Sequence, residues 1–401
     1  MEPSAIRLLI VLYAGDYRAA FQRLSAGDNE TYHGHRYALE SLSEISTKIE
    51  AVAVLCCRSE EPYDEVLSMG FRVIGAGPKP DKGDKKIIEI IAAYNPTHLV
   101  IRTPIQGIFR WAINNQIRTI GMLADSFQKK GLNRKVKNYF LAHLLNNSYI
   151  EWIGNHGINS CRSLQQIGVN PDKIIPWDWP HSLTPADFPP KQLRKDLETI
   201  HLIYVGSVKE SKGVGDILEA VLKLKDKNLS VNLKIAGKGE NETFIERAKQ
   251  LNIQDEVEFL GLVPNNTIVN LMRESDFVLV PSRHEYPEGF PLTIYEAFCS
   301  RTPLIASDHP MFQSNLEHQI NAMIFPAGNS TAIAACIEKL HLNPDLYHRL
   351  SLASYDAWKR LQIPVKWADF IKHWIIDLPE NQRWLFEHRL ASGRYDLAPS
   401  R

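Results

Sequence analysis

The alternation of strand-like and helix-like segments is the feature that most restricts the fold of this sequence. Short apolar runs, separated by segments of helical periodicity, recur along the whole chain. The runs lack the polar alternation of a half-exposed strand, so they predict a parallel sheet with helices on both faces. In the first half the predicted strands are 6–14, 50–57, 71–76, 98–103, 118–124 and 149–154, and the predicted helices are 35–44, 85–94, 105–115, 133–145 and 159–167.

The pattern restarts after a proline-rich break. Four prolines fall between 180 and 190, where they disfavour helix and strand. The strands predicted beyond it are 201–206, 231–236, 257–260, 277–281, 304–307 and 322–325, and the helices are 214–225, 243–251, 267–273, 292–298, 330–340, 346–361 and 366–376. We therefore predict a linker near 180–198 and three parts: 1–182, 199–361, and a closing helix with its tail at 362–401. The first two are α/β domains with doubly wound, Rossmann-like sheets that face each other across a cleft, and such sheets bind ligands beyond their carboxyl ends.

Charge and cysteine content exclude several classes of function. The 401 residues include 46 Lys+Arg and 46 Asp+Glu, so no bulk positive field exists for non-specific nucleic-acid binding. The five cysteines show neither metal-ligand spacing nor a CxxC motif, which predicts free thiols in a reducing compartment, the cytoplasm. No apolar run approaches the ~18 residues of a membrane-spanning helix.

A basic amphipathic segment runs from Lys129 to Leu145. Lys129, Lys130, Arg134, Lys135 and Lys137 precede an apolar stretch. A solvated basic face is the favoured interpretation, and peripheral contact with anionic lipid is the alternative.

A glycine-bearing turn opens the second half. Gly206 and Ser207 end a predicted strand, and Lys212 and Gly213 precede a predicted helix. Free N–H groups, the helix dipole and an ammonium group suit a phosphate at such a turn. A plain structural turn is the alternative, and the motif is not a Walker A sequence.

Two carboxylates bracket another predicted helix N-terminus. Glu288 lies in the loop after strand 277–281, and Glu296 lies on the helix, with seven residues between them. Carboxylates placed there can accept hydrogen bonds from sugar hydroxyls. An acidic helix cap and a solvated helical Glu are the alternative, although the apolar neighbours of Glu296 indicate partial burial, where a carboxylate needs a partner.

The order and spacing of these motifs resemble family 4 of the retaining glycosyltransferases, which has the GT-B fold. The motifs that carry the resemblance are Gly206–Gly213, Ala236–Gly239, Phe259–Gly261 and Glu288–Ala297. They cover residues from about 200 to 376, whereas residues 1–180 are similar only in topology. The resemblance also implies that the closing helix packs back on the first domain.

The resemblance implies a nucleotide-sugar donor site in the second domain. It implies that Glu288 binds the hydroxyls of the donor sugar, that Glu296 binds the ribose hydroxyls, and that Lys212 binds the leaving diphosphate. The further donor-binding positions that it implies are Gly206, Ser207, Gly237, Leu262, Gly289, Phe290, Pro291 and Leu292.

One position departs from the family pattern. An Arg usually follows the glycine where this chain has Ser207, so one cationic group is missing, and Lys209, Lys238 or Arg283 are the candidates to replace it. The sequence also lacks the DxD pair that holds a metal on the diphosphate in metal-dependent transferases. We therefore expect no metal and no other cofactor, with lysine and helix N-termini supplying the electrostatic stabilisation.

The first domain holds the acceptor in such enzymes. The sequence predicts a long irregular loop from Gly15 to His33, with a functional loop and an ordinary mobile loop as the two interpretations. Its candidate acceptor-binding residues are Gly15, Tyr32, His33 and Gly34. Asp125 and His156 follow predicted strands and are candidate catalytic groups, Asp125 also for acceptor binding; a helix-capping Asp and a structural turn histidine are the alternatives.

Taken with the resemblance, these residues predict an enzyme that moves a hexose or pentose from a nucleotide diphosphate sugar, a UDP-sugar, to a hydroxyl with retention. The acceptor classes left open are a glycan, a lipid-linked sugar and a small natural product. The alternatives are a nucleotide-sugar epimerase of the same fold and an inactive nucleotide-sugar-binding partner subunit.

Overall fold

The chain forms two compact units. A computed structural model describes residues 6–13, 15–78, 84–127, 131–193 and 198–396. One unit comprises Met1–Pro180 and Ile363–Arg401, and the other comprises His181–Gln362.

The strands and helices follow the predicted alternation. The strands are β1 Arg7–Leu12, β2 Ala51–Cys56, β3 Pro62–Val66, β4 Arg72–Ala76, β5 His98–Ile101, β6 Arg118–Leu123, β7 Ile150–His156, β8 Ile174–Trp177, β9 Thr199–Val205, β10 Ser230–Ala236, β11 Val257–Gly261, β12 Phe277–Val280, β13 Leu304–Ser307 and β14 Met323–Phe325. The helices are α1 Tyr17–Ser25, α2 His35–Ser46, α3 Lys85–Tyr94, α4 Gln106–Asn114, α5 Leu132–Leu145, α6 Ile158–Gln166, α7 Val214–Lys225, α8 Asn241–Gln250, α9 Asn265–Glu274, α10 Leu292–Ser300, α11 Ser330–His341, α12 Pro344–Leu361, α13 Trp367–Ile375 and α14 Pro379–Glu387.

The first unit contains an eight-stranded sheet with the order β3-β4-β2-β1-β5-β6-β7-β8. Its strands are parallel except for β3, which pairs antiparallel with β4 at the edge. The sequence did not predict β3 because Pro62–Val66 is largely polar and exposed, as edge strands often are. It also did not predict β8, a four-residue buried strand that contains Pro176.

The predicted irregular loop between Gly15 and His33 is wrong, because it contains helix α1. The Asp16 side chain caps this helix by accepting a hydrogen bond from the Ala19 N–H at 3.1 Å. Tyr17 and Ala20 are the helix residues that become fully buried. A nine-residue helix with two buried positions shows little of the apolar periodicity on which the prediction depended.

The second unit contains a six-stranded parallel sheet with the order β11-β10-β9-β12-β13-β14. Buried apolar side chains cover both faces, one face packing under α7, α8 and α11 and the other under α9, α10 and α12. All six strands run in the same direction, so their carboxyl ends lie along one edge. This edge carries the turns that the sequence singled out.

The proline-rich segment is packed rather than extended. Arg301 donates a hydrogen bond from Nε to the Pro185 carbonyl at 2.9 Å, and the Lys191 N–H donates to the Ser351 hydroxyl at 2.7 Å. Residues 185–191 therefore belong structurally to the second unit. Residues 194–197 of the predicted linker lie outside the described residues.

The closing segment joins the first unit. The Asp178 N–H donates to the Val365 carbonyl at 3.0 Å, and the Trp367 N–H donates to the Asp178 carbonyl at 3.1 Å. The tail contains helix α14, in which Trp384 stacks on His373 at a ring-centroid distance of 3.9 Å.

The basic segment is helical from Leu132 onward, and Lys129 and Lys130 lie outside the described residues. Helix α5 exposes basic side chains together with Leu132, Val136, Tyr139 and Phe140. Its surface is therefore mixed, apolar and basic. Among the helices within the described ranges, none combines the length and apolar character needed to cross a membrane.

Candidate functional site

Glycines bring the strand ends of the second unit into close backbone contact. The Gly206 N–H donates to the Ala236 carbonyl at 3.0 Å, and the Gly237 N–H donates to the Gly261 carbonyl at 2.7 Å. A Cβ at Gly237 would lie 1.8 Å from the Gly206 carbonyl oxygen. The edge formed by β9, β10 and β11 is therefore lined by backbone, which suits close approach of a ligand.

Gly213 also permits a close backbone contact, at the turn after β9. Its φ is +77°, and a Cβ there would lie 2.2 Å from the Pro281 carbonyl oxygen. The Arg283 N–H also donates to the Ser211 carbonyl at 3.0 Å. These contacts hold the turn after β9 against the loop after β12.

Lys212 and Glu288, which the sequence placed on separate motifs, contact each other directly. The Lys212 ammonium group donates a hydrogen bond to Glu288 Oε1, and the side chains are only 13% and 6% exposed. The Ser282 hydroxyl donates to the same oxygen at 2.5 Å. The Lys212 ammonium also lies 4.3 Å from the centroid of the Tyr286 ring. A cation and a carboxylate are thus fixed together at the sheet edge.

The N-terminus of α10 follows this pair. Pro291 is the residue before the helix, and the helix has no side-chain cap and no acidic residue in its first turn. Its N–H groups and dipole therefore favour an anion. Gly289 lies between the pair and the helix, and Leu292 begins it, whereas the Phe290 side chain is buried against Tyr295.

His309 supports the loop that carries Tyr286. The Met311 N–H donates to His309 Nδ1 at 3.2 Å, so Nε2 carries the proton and donates to the Tyr286 carbonyl at 3.1 Å. Burial lowers the pKa of His309, which keeps the ring neutral and this arrangement fixed.

Glu296 lies on α10, half-buried. Asn265 Nδ2 donates to Glu296 Oε1 at 3.3 Å. Burial raises the pKa of Glu296 to about 7, and the Asn265 hydrogen bond opposes this rise. Leu262 is exposed at the end of β11, one turn before Asn265.

The candidates for the missing cationic group differ in their surroundings. Arg283 donates to both oxygens of the buried Asp216 and to Glu210, and these carboxylates raise its pKa. Its guanidinium is therefore already neutralised. Lys209 and Lys238 are exposed, whereas Ser207 is half-buried and its carbonyl accepts a hydrogen bond from the Tyr204 hydroxyl at 2.7 Å.

Sequence reasoning missed Ser282, Tyr286 and Asn265. Each is a polar residue that follows a strand within a few positions. This position along the chain was the sequence signal that could have identified them as candidate site residues. Their partners became evident only once the strands lay side by side in the sheet.

In the first unit, the predicted acceptor residues gather near the start of α2. His33 Nε2 lies 2.8 Å from the Pro180 carbonyl, and a Cβ at Gly34 would lie 2.6 Å from the Trp179 ring. The exposed Tyr32 ring lies 5.0 Å from the His35 ring, and a Cβ at Gly15 would lie 3.8 Å from His35 Nε2. His35 ends the sequence cluster Tyr32–His35 but was not among the predicted acceptor-binding residues.

Asp125 lies after β6 and is clamped by Asn155. The Asp125 N–H donates to Asn155 Oδ1 at 3.2 Å, and Asn155 Nδ2 donates to the Asp125 carbonyl at 2.8 Å. Burial raises the pKa of the Asp125 carboxyl to about 6. A carboxyl in this range can accept or donate a proton near neutral pH.

His156 is an interior residue. It is 5% exposed, and its Nε2 lies 2.9 Å from Oδ1 of the fully buried Asp178. Asp178 in turn holds the chain segment around Val365 and Trp367. This geometry favours the structural alternative for His156.

Two α/β units with largely parallel sheets, together with similarity to solved glycosyltransferase structures, confirm the predicted GT-B fold class. Residues 186–356, within the second unit, match the family model described as glycosyl transferases group 1. This match supports the coarser part of the resemblance, and it covers under half of the chain.

Similar proteins agree with the match to glycosyl transferases group 1 and with the fold. The amylovoran biosynthesis glycosyltransferase AmsK of Erwinia amylovora is 27% identical over 147 residues, which are 36% of each chain. The chain thus spans about a third of the length of that relative. Sucrose-phosphate synthase of Thermosynechococcus elongatus superposes with a TM-score of 0.65 over 95% of this chain and 99% of its own, at 16% identity. Anabaena HepE in complex with UDP and glucose superposes with a TM-score of 0.63 over 89% and 95%, at 13% identity.

Proposed function

We propose that the chain is a retaining glycosyltransferase of family 4 that transfers a sugar from a nucleotide diphosphate sugar, a UDP-sugar, to an acceptor hydroxyl without a metal. One observation carries the proposal. Lys212 and Glu288 form a largely buried ion pair, and Glu288 directly precedes in sequence the loop to the uncapped N-terminus of α10, in the part of the chain that matches glycosyl transferases group 1. The complexes of HepE with UDP and glucose support the choice of nucleotide.

The proposed chemistry divides among these residues. The acceptor oxygen bonds to the anomeric carbon as the bond from that carbon to the diphosphate oxygen breaks through an oxocarbenium-like transition state. Negative charge develops on the diphosphate, and the leaving diphosphate takes the proton of the acceptor hydroxyl. Lys212 and the N–H groups at the start of α10 stabilise that charge. Glu288 accepts hydrogen bonds from the sugar hydroxyls, and Glu296 accepts them from the ribose.

The pairing of Lys212 with Glu288 affects which ligands the site binds well. Without a donor the Lys212 ammonium contacts the Glu288 carboxylate and the Tyr286 ring. A bound diphosphate competes for the same ammonium, and the sugar hydroxyls give Glu288 replacement donors. Sugar and diphosphate therefore bind more strongly together than separately, which favours the intact donor over a free nucleotide.

Acceptor-dependent release of the nucleotide tests the proposal. A thermal-shift panel of nucleotide diphosphates and their sugars first identifies the donor, because a bound ligand stabilises by mass action. We expect UDP-sugars to stabilise the protein and UDP release to require an acceptor. Proton coupling at the new anomeric carbon then reports retention.

Two outcomes would contradict the proposal. A donor that is altered without any acceptor would indicate an epimerase, and a donor that binds unchanged with every acceptor would indicate an inactive partner subunit. Lys249→Ala, which alters an exposed lysine of α8, is the matched control for Lys212→Ala and should leave transfer unchanged.

A further inference from the structure

Two partly buried arginines of the first unit, Arg23 and Arg102, form no ion pair among the described residues, which several exposed arginines of the unit also lack. Arg23 lies on α1, and Arg102 directly follows β5. The Nε atoms of both guanidinium groups are buried without a hydrogen-bond partner. Several other arginines of this unit, by contrast, form ion pairs, as Arg72 does with Asp64 at 2.6 Å.

Three indole rings surround Arg102. Its guanidinium carbon lies 5.5 Å from the Trp177 ring centroid, 5.5 Å from that of Trp179 and 5.6 Å from that of Trp367. Such contacts satisfy the face of a guanidinium group, and its N–H groups point outward in the plane of the group. The indoles therefore hold the cation in place without neutralising its charge.

Both arginines act on His35, at the first position of α2. Burial and the positive charges of Arg23 and Arg102 lower the pKa of His35 to about 4, and no carboxylate opposes them. His35 Nδ1 is buried without a hydrogen-bond partner. The Tyr17 ring lies 5.8 Å from the His35 ring. Burial raises the pKa of Tyr17, and the charge of Arg102 together with its hydrogen bond to the Tyr17 hydroxyl counteracts this rise.

The start of α2 does not add to this positive potential. Helix α2 begins at His35, and the Glu30 carboxylate accepts a hydrogen bond from the Arg36 N–H at 2.8 Å, so the two guanidinium groups alone supply the positive charge. Partly buried cations are costly unless they have an anionic partner. Two guanidinium charges beside a neutral histidine match a phosphate monoester, which carries a charge of about −1.5 to −2 at pH 7, and guanidinium forks match phosphate oxygens.

We propose that Arg23, Arg102 and His35 form a phosphate-binding site, and that it selects an acceptor that carries a phosphate group. The site lies beside Tyr32 and Gly15, where the sequence placed the acceptor. The choice of acceptor class rests on the proposed transferase function, whereas the phosphate site itself rests only on these residues. A neutral glycan offers no charge for the two arginines, so a neutral acceptor would leave them unpaired.

Calorimetric titration with inorganic phosphate tests the site without any donor. We expect saturable binding to the full-length protein and an affinity at least about tenfold lower in Arg102→Gln and in Arg23→Gln. Arg102→Lys keeps the charge but loses the fork, so an intermediate affinity is expected. In NMR spectra, the Cε1–H resonance of His35, assigned by its absence in His35→Gln, should shift during the titration. Such a shift places the bound phosphate beside His35.

Controls separate this site from the donor site and from unfolding. Arg110→Gln removes an exposed arginine of α4 and should bind phosphate like the wild type. Lys212→Ala should retain the phosphate-dependent shift of His35, because it alters only the donor side. Circular dichroism establishes that each variant is folded. Absence of saturable phosphate binding, or less than a threefold change in both folded arginine variants, would overturn the proposal.

A second arm identifies the phosphate source. Glucose 6-phosphate represents soluble phosphorylated acceptors. Phosphatidylcholine vesicles with or without phosphatidic acid represent lipid phosphates. Competition of either probe with inorganic phosphate supports the site and identifies the source of the phosphate group. Failure of both to compete would refute an acceptor role. Glucuronate that displaces phosphate equally well would refute the choice of phosphate over carboxylate. Because these titrations need no donor, their outcome is independent of the donor assays.

Discussion

Replacing Glu296 by Gln should stabilise the second unit at alkaline pH while weakening the donor site. Burial raises the pKa of this carboxyl from 4.5 to about 7. The folded protein therefore retains a proton that the unfolded chain releases between pH 4.5 and pH 7. Stability is lost as the pH rises through this interval, and the penalty is complete above pH 7.

The size of the penalty follows from the pKa. A tenfold change in proton affinity corresponds to about 1.4 kcal/mol, so a rise from 4.5 to about 7 corresponds to about 3 kcal/mol. Glu296 is partly solvated, which reduces the expected value to about 2–3 kcal/mol. Gln keeps the shape and can still accept the Asn265 hydrogen bond, so Glu296→Gln should gain this amount at pH 8 and nothing at pH 4.

Urea unfolding at pH 4 and pH 8, followed by circular dichroism, measures the effect. If the two units unfold separately, each transition is fitted by itself. Glu258→Gln, which alters an exposed carboxylate of β11, is the control and should change stability by no more than about 0.5 kcal/mol at either pH. Equal pH dependence of the wild type and Glu296→Gln would refute the assigned burial.

Glu296→Gln should weaken donor binding, although it stabilises the fold at alkaline pH. Loss of a charged acceptor for the ribose hydroxyls should cost about 1.5–3 kcal/mol of donor affinity. In the wild type the affinity should rise between pH 6 and pH 8 as Glu296 ionises, whereas the Gln variant should show no such rise. Unchanged donor affinity in calorimetry would remove Glu296 from the site even if its stability effect is observed.

Four other predictions follow from the donor side. Lys212→Ala should lower kcat by roughly 10²–10³, the scale of one preorganised oxyanion donor, and Ser207→Arg should partly restore it; a loss below about threefold in steady-state kinetics would place the diphosphate elsewhere. Activity should survive excess EDTA, and a loss that Mn²⁺ restores would contradict metal independence. Arg283→Gln should destabilise the second unit by about 3 kcal/mol, because it leaves a buried carboxylate unpaired, and a chemical denaturation midpoint equal to that of the wild type would contradict this. Gly237→Ala should prevent native packing, since its Cβ would overlap the Gly206 carbonyl oxygen; an unchanged melting temperature would contradict the geometry.

The strands and most helices could be predicted because a parallel sheet imposes a strong pattern. Its central strands are buried on both faces and read as continuous apolar runs, as Leu8–Leu12 does in β1. Where burial is one-sided or slight, the pattern weakens. Helix α1 buries only Tyr17 and Ala20, and β3 is an exposed edge strand with a polar sequence, so neither could be recognised.

The backbone part of the candidate site was equally predictable. Strand ends, glycine turns and the N-terminus of α10 follow from the order of the elements, and Gly206, Gly237 and Gly289 lie where the motifs placed them. Side-chain pairing depends instead on which strands become neighbours. The strand order places β9 beside β12, and only that order brings Lys212 to Glu288.

Ion pairing also differs between the proposed donor side and the proposed acceptor side of the chain. In the second unit, Lys212 and Arg283 are each balanced by carboxylates that are fixed within the same sheet edge. A donor that binds as proposed therefore replaces one partner of Lys212 by another, and the net gain from its diphosphate is small until the transition state adds charge. In the first unit, Arg23 and Arg102 form no ion pair among the described residues, so an anion that binds there as proposed displaces no carboxylate from them. On these two proposals, the acceptor phosphate gains its electrostatic attraction when it binds, whereas the donor gains most of its attraction in the transition state. Attraction that appears only in the transition state raises kcat rather than donor affinity.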